Sequence, residues 1–148
     1  VSGLFEGKST VLSYHDSAIS MHVNRVRSLW ELLGSKVTVM NAELHDQIFA
    51  YTSHLPHAAA YALLKTLKGL DQDDLAIFSG GGLGEFLRLA SSSPEMWTDI
   101  FSMNEKNISI AIEELIQNLN LLKDQIANDP EILRNLLIEL KDFKESNY

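Results

Sequence analysis

The sequence contains no cysteine, which excludes disulfides, thiolate nucleophiles and thiolate zinc sites and fits a reducing, cytoplasmic setting. It is also short of cations: 12 lysines and arginines stand against 20 aspartates and glutamates, for a net charge of −8. So acidic a chain lacks the basic surface that nucleic acid or an anionic membrane needs, and neither is an expected partner. No apolar run approaches the ~20 residues that span a bilayer. Proline occurs only three times, and one of the three, Pro56, falls where the pattern otherwise asks for an unbroken helix.

What is present suits a packed core: 45% of the 148 residues are hydrophobic and 22% are charged. The chain opens on Val1-Ser2-Gly3, without an initiator methionine, and runs almost at once into a strand-like pattern. Thr10 to Tyr14 is β-rich. Ser17 to Leu33 has helical spacing through Ile19, Val23, Val26, Trp30 and Leu33, and Lys36 to Met40 is strand-like again. Gly34 sits where a helix C-cap belongs. This is a βαβ unit, but two parallel strands under one helix leave a sheet edge and an apolar face open. Residues 1–40 are therefore expected to be the tail of a larger α/β domain whose earlier strands lie upstream. From residue 41 to 148 no strand pattern recurs, so an all-helical domain is expected there, with the boundary near Asn41.

The helical part is organised around Glu43 to His57, which holds three of the five histidines. Read as one helix from Ala42 to Lys68, Pro56 lacks an amide hydrogen and crowds the Thr52 carbonyl, at a cost of roughly 3 kcal/mol. A kink there would tilt His54 and His57 into a cleft. At ~100° per residue His54 and His57 lie roughly 60° apart and His45 about 180° from His54, so one metal cannot gather all three without the kink, and no metal site is expected. The plain structural account has His54 capping carbonyls freed by Pro56 and His57 packed in the core. Gly69 with Asp71, Asp73 and Asp74 reads as a turn and N-cap for a short helix through Leu75 and Phe78. Ser79-Gly80-Gly81-Gly82-Leu83-Gly84 follows no strand and precedes no Lys-Ser or Lys-Thr, so it is not a phosphate loop. Its glycines serve a tight turn or a close backbone approach, or form a flexible linker.

Glu85 to Ala90 reads as a helix that carries Arg88 among Phe86, Leu87, Leu89 and Ala90. That setting suggests a partly buried guanidinium in want of a carboxylate, with Glu85 one turn away as the simple partner. Ser93-Pro94 starts another helix, and Trp97 within it lines a pocket or fills core. Ile108, Ile112, Leu115, Leu119, Leu122 and Ile126 form a heptad-like seam, widened by Ile116, for a core or a dimer interface. After Asp129-Pro130, a last helix is expected to bury Leu133, Leu136, Leu137, Leu140 and Phe143.

The ordered set His45-Asp46, Ser53-His54-Leu55-Pro56-His57, a glycine run leading to Arg88-Leu89-Ala90, then Pro94-Glu95-Met96-Trp97 and Asn104 resembles the C-terminal part of prephenate dehydrogenases and their arogenate-using relatives. Leu4-Phe5-Glu6-Gly7-Lys8 is similar to the end of that family's nucleotide-binding domain. The resemblance implies a mainly α fold: a helical dimerisation domain of the 6-phosphogluconate dehydrogenase C-terminal type, preceded by a βαβ remnant of a Rossmann-type domain. It implies oxidative decarboxylation of prephenate to 4-hydroxyphenylpyruvate in tyrosine biosynthesis, with hydride passed to NAD or NADP, and a homodimer. Carried over by position, Arg88 resembles the anchor for a substrate carboxylate and His57 a polar contact to the substrate's other end. His45, His54 and Trp97 resemble supporting positions around the pocket, with Gly81 or Gly82 as closely approached backbone.

Glu85 stands where the family usually has aspartate, Gly84 where a basic residue is common, and Ser13-Tyr14-His15 where threonine-proline is usual. The family's catalytic histidine and its dinucleotide loop belong upstream, so no catalytic residue is assigned within these 148 residues. The nicotinamide cofactor is expected to bind mainly to that upstream domain, and this chain alone is expected to be inactive. Two other readings stay open: a helical dimer module that senses an aromatic acid without catalysis, and a histidine-metal binder on a helical bundle.

Overall fold

The computed structural model describes residues 3–15, 17–70 and 80–147. Strands β1 (Ser9–Tyr14) and β2 (Lys36–Asn41) pair in parallel, in register from Ser9 opposite Lys36 to Tyr14 opposite Asn41. Helix α1 (Ser20–Leu32) makes the crossover, as parallel pairing requires. It ends at Gly34, whose φ of +87° is the left-handed conformation that glycine adopts without strain. A Cβ there would also lie 3.1 Å from the Glu6 Cα, because the N-terminal turn folds back onto this corner. The turn is held by the Gly34 carbonyl accepting from the Gly7 amide at 2.9 Å and by Phe5 edge-on to Trp30 at 5.1 Å.

The βαβ unit is as expected, yet its helix is barely covered. No residue of α1 is buried, and Ile19, Met21, Leu29 and Leu32 are exposed. Only Val23 and Trp30 are half-buried within the helix.

Past Asn41 the described residues form helices and their connections. Helix α2 (Ala42–Phe49) is capped by Asn41, whose Oδ1 accepts from the Leu44 amide at 2.8 Å. A π-helical turn, Ala50–His54, links it without a break to α3 (Leu55–Leu67), with Pro56 in the first turn. The expected helix over 42–68 is therefore present, and its irregularity is a widened turn just before the proline. The Asp71–Phe78 region lies outside the described residues. Helix α4 (Gly81–Leu87) passes into a 3-10 turn, Arg88–Ser91. Helix therefore begins four residues before the expected Glu85, and Gly81, Gly82 and Gly84 are helical rather than part of a turn or linker. Helix α5 (Pro94–Met103) starts at the expected cap: Ser93 Oγ accepts from the Met96 amide at 3.3 Å. Two long helices follow, α6 (Glu105–Asn128) and α7 (Pro130–Asn147). No helix of the described residues is long and apolar enough to cross a membrane.

The core is small. Ala50, Ala60, Trp97, Ile108 and Ala111 are its buried apolar residues, and the three alanines let the π turn and α3 approach α6 closely. The seam of α6 is split. Ile108 is buried, but Leu119 and Ile126 at its far end are 54% and 63% exposed. The last helix also departs from expectation: it has no buried residue, and Leu137, Leu140 and Phe143 are exposed. The reason is geometric, since α7 packs chiefly on α6 and no other part of the described chain covers the outer apolar side of this hairpin.

Candidate functional site

The π turn determines where the histidines point. At its end the Leu55 amide bonds the Ala50 carbonyl, five residues back, in place of the α-helical partner four back. The wider turn accommodates the missing amide of Pro56 without breaking the helix. Side chains add bonds to this stretch: Thr52 Oγ1 donates to the Ile48 carbonyl at 3.0 Å, and His57 Nδ1 to the Ser53 carbonyl at 2.9 Å. Among the described residues the carbonyl bond expected of His54 is made by His57, whose ring also packs on the core as expected.

His57 also lies flat on the indole of Trp97, with ring centroids 3.7 Å apart and an interplanar angle of 24°. His54 meets the same indole edge-on at 6.0 Å, and Phe101 lies tilted against it at 5.3 Å. Trp97 is 5% exposed, so it is a core residue and a wall of the histidine cluster at once. Its Nε1 is buried with no hydrogen-bond partner among the described residues, an omission that costs about 1–3 kcal/mol.

Asn104 was named in the sequence only as part of the family resemblance, and no role was assigned to it. It is 7% exposed and sits at the α5–α6 junction. Its Nδ2 donates to the Asp46 carbonyl at 2.7 Å and stands 3.3 Å from His54 Nδ1, and its Oδ1 accepts from Asn107 Nδ2 at 2.8 Å. Its place in the family pattern and between two helical runs was visible beforehand, but neither reveals a bond to a residue 58 positions away.

His45 takes a separate place. Its Nδ1 lies 2.9 Å from Asp46 Oδ1, and its ring stacks on Phe49 at 4.2 Å. Among the described residues no three His, Asp or Glu side chains converge as metal ligands. Burial, foremost, and the neighbouring His45 lower the His54 pKa below its ordinary value; the Asp46 carboxylate opposes the shift and His57 adds to it. The shift favours the neutral ring, the form in which a nitrogen can accept from Asn104.

Arg88 is placed differently from the sequence expectation. It is not partly buried: its side chain is 71% exposed, and its only ion-pair neighbour among the described residues is Glu85, at 3.9 Å. On a tight helical turn the residues beside it in sequence point elsewhere, so apolar neighbours did not imply burial. The turn that carries it nonetheless packs on α3, the helix of His57, with Tyr61 donating to the Ser92 carbonyl at 3.4 Å. Gly81 and Gly82 open α4, the helix that leads into this turn, and a Cβ on either would meet open space. The structure thus joins His54, His57, Trp97 and Asn104 in one cluster, sets His45 beside it on α2, and leaves Arg88, Glu85 and the glycines exposed on the neighbouring segment.

Comparison with known proteins gives a consistent result. Residues 41–139 match the family model for prephenate dehydrogenase, dimerization domain. The cyclohexadienyl dehydrogenase of Zymomonas mobilis is 30% identical over 147 residues, spanning 97% of this chain and 48% of that protein. The prephenate dehydrogenase of Bacillus subtilis is 26% identical over 145 residues, spanning 96% and 39%. Among solved structures, prephenate dehydrogenase from A. aeolicus in complex with hydroxyphenyl propionate and NAD+ superposes with a TM-score of 0.89 at 38% identity, covering 99% of this chain and 52% of that one. Synechocystis arogenate dehydrogenase, at 24% identity and a TM-score of 0.84, shares the fold. The chain spans about half the length, or less, of the relatives it matches.

Proposed function

The chain belongs to the prephenate dehydrogenase family, and from that premise we propose that it forms the substrate-binding and dimerisation half of an enzyme of tyrosine biosynthesis. That enzyme oxidatively decarboxylates prephenate, or its amino counterpart arogenate, and passes hydride to NAD or NADP. The observation that carries the reading is the His57–Trp97 stack beside the π turn, which puts an oriented imidazole against an aromatic wall next to the Arg88 turn.

The strand-to-helix connection of this chain does not suit the cofactor's phosphates. A dinucleotide loop needs glycines between a strand and a helix, and the β1–α1 connection, His15 to Ile19, has none. In this reading the nicotinamide cofactor is held by an upstream α/β domain, of which residues 1–40 are the end, and 41–148 form the helical domain.

The residues present suit the acid substrate. Prephenate is a dianion, and the exposed Arg88 guanidinium can hold one carboxylate through two parallel charge-assisted hydrogen bonds, which fixes orientation as well as charge. His57 contacts the other end of the molecule, and its tie to the Ser53 carbonyl holds the ring in place. His45, His54, Glu85 and Trp97 support these two, and the backbone at Gly81 and Gly82 is open to close approach. The A. aeolicus relative holds hydroxyphenyl propionate, an aromatic acid with a carboxylate at one end and a hydroxyl at the other.

The apolar outer side of α6 and α7, with Leu119, Ile126, Leu137 and Phe143 exposed, fits a second copy of the chain. Completing the burial of such half-exposed residues contributes on the order of 1 kcal/mol each. The test is nicotinamide reduction by the full-length protein with each acid. Turnover on neither would favour the sensing module over the enzyme.

A further inference from the structure

His54 and His57 stand one helical turn apart, and their hydrogen bonds assign them opposite tautomers. The assignment starts from two backbone carbonyls, which can only accept. His57 Nδ1 lies 2.9 Å from the Ser53 carbonyl oxygen, so that nitrogen carries the proton and Nε2 keeps a lone pair. The Asn104 side chain lies 2.7 Å from the Asp46 carbonyl oxygen, which orients its amino group, not its oxygen, to that side. The same amino group faces His54 Nδ1 at 3.3 Å. Asn104 Oδ1 is already engaged by Asn107 at 2.8 Å, which agrees with this orientation. A proton on His54 Nδ1 would set two donors against each other, so neutral His54 carries its proton on Nε2.

We propose that Asn104 is a positioning residue that fixes His54 as an Nε2–H donor beside His57, an Nε2 acceptor, so that the pair recognises a ligand edge offering one acceptor and one donor, as a hydroxyl does. Trp97 holds both rings in this relation, since His57 lies on its face and His54 against it edge-on. Asn104 also ties the π turn to the α5–α6 junction, so the tautomer and the position of His54 depend on one side chain. The identity of the ligand rests on the dehydrogenase reading above; the tautomers do not.

The test is long-range nitrogen–proton correlation NMR on the full-length protein with isotope-labelled histidine, at a pH above the ordinary histidine range. Wild type is compared with Asn104→Asp. The expected spectrum shows His54 protonated on Nε2 and His57 on Nδ1. In Asn104→Asp the carboxylate can only accept, so the His54 proton moves to Nδ1 and its titration midpoint rises; the other titratable groups that face it are His45, Asp46 and His57. The His57 signal keeps its tautomer and serves as the internal control for an intact site. Matching tautomers in the wild type would overturn the proposal, as would an unmoved His54 proton in a variant whose His57 signal is native. If Asn104→Asp does not fold, the wild-type spectrum decides alone, with His54 protonated on Nδ1 the contrary result. Opposite tautomers in a protein that turns over neither acid would sustain this inference and remove the dehydrogenase reading. Turnover with matching tautomers would do the reverse.

Discussion

His57 lies flat against Trp97, with ring centroids 3.7 Å apart, and this contact makes the core and the candidate site one structure. The indole that fills the centre of the helical part also sets the plane of the imidazole.

Substitution at Trp97 should therefore cost stability and ligand binding together. Trp97→Ala is expected to destabilise the fold by about 3–5 kcal/mol, the usual cost of truncating a buried aromatic. Trp97→Phe keeps a stacking face and removes the unpartnered Nε1, so its loss should be clearly smaller. Denaturant midpoints of the three proteins check the ranking, and a Phe variant as unstable as the Ala variant would contradict it.

The lowered pKa of His54 gives stability a definite slope with pH. Its folded-state value lies below the unfolded one, so as pH falls below about 6.5 the unfolded chain takes up a proton before the native site does. Stability from this group is full above that pH and declines toward the lower folded-state pKa. Chemical denaturation of wild type and His54→Gln between neutral and mildly acid pH should show the shallower slope in the variant. Equal slopes would mean that His54 titrates alike in both states.

Much of this was legible in the chain, for reasons that differ by element. The strand–helix–strand unit declares itself because its apolar spacing changes from two to about 3.6 and back, and Gly34 marks the turn between helix and strand. Ser93-Pro94 marks the start of α5 by its own chemistry. Pro56 announced an irregularity without revealing its form, since a kink and a π turn both solve the same missing amide. Asn104 was opaque because its partners lie far off in sequence. Arg88 was misjudged on neighbours that share its sequence but not its side of the helix. The face of α7 was read correctly as apolar and wrongly as covered, because periodicity shows which residues share a side and not what lies opposite them.

That uncovered side yields a prediction about assembly. Charged substitutions at Leu119 and Leu137, exposed at 54% and 52%, cost the isolated chain little, since exposed sites usually change stability by less than ~0.5 kcal/mol. They should nonetheless convert a dimer to a monomer. Sedimentation of the wild type and of Leu119→Asp with Leu137→Asp decides it, and a wild type that is monomeric at high concentration would contradict the interface.

The most direct measurement is steady-state nicotinamide reduction by the full-length protein with prephenate and with arogenate, wild type beside Arg88→Ala. The account predicts turnover on at least one acid, native stability in the variant because Arg88 is 71% exposed, and a KM raised roughly tenfold to a hundredfold. That range corresponds to the loss of charge-assisted bonds of about 1.5–3 kcal/mol. The isolated 148-residue chain should show no turnover. A folded full-length protein inactive on both acids would contradict the account, and an Arg88→Ala variant with unchanged KM would contradict the carboxylate anchor.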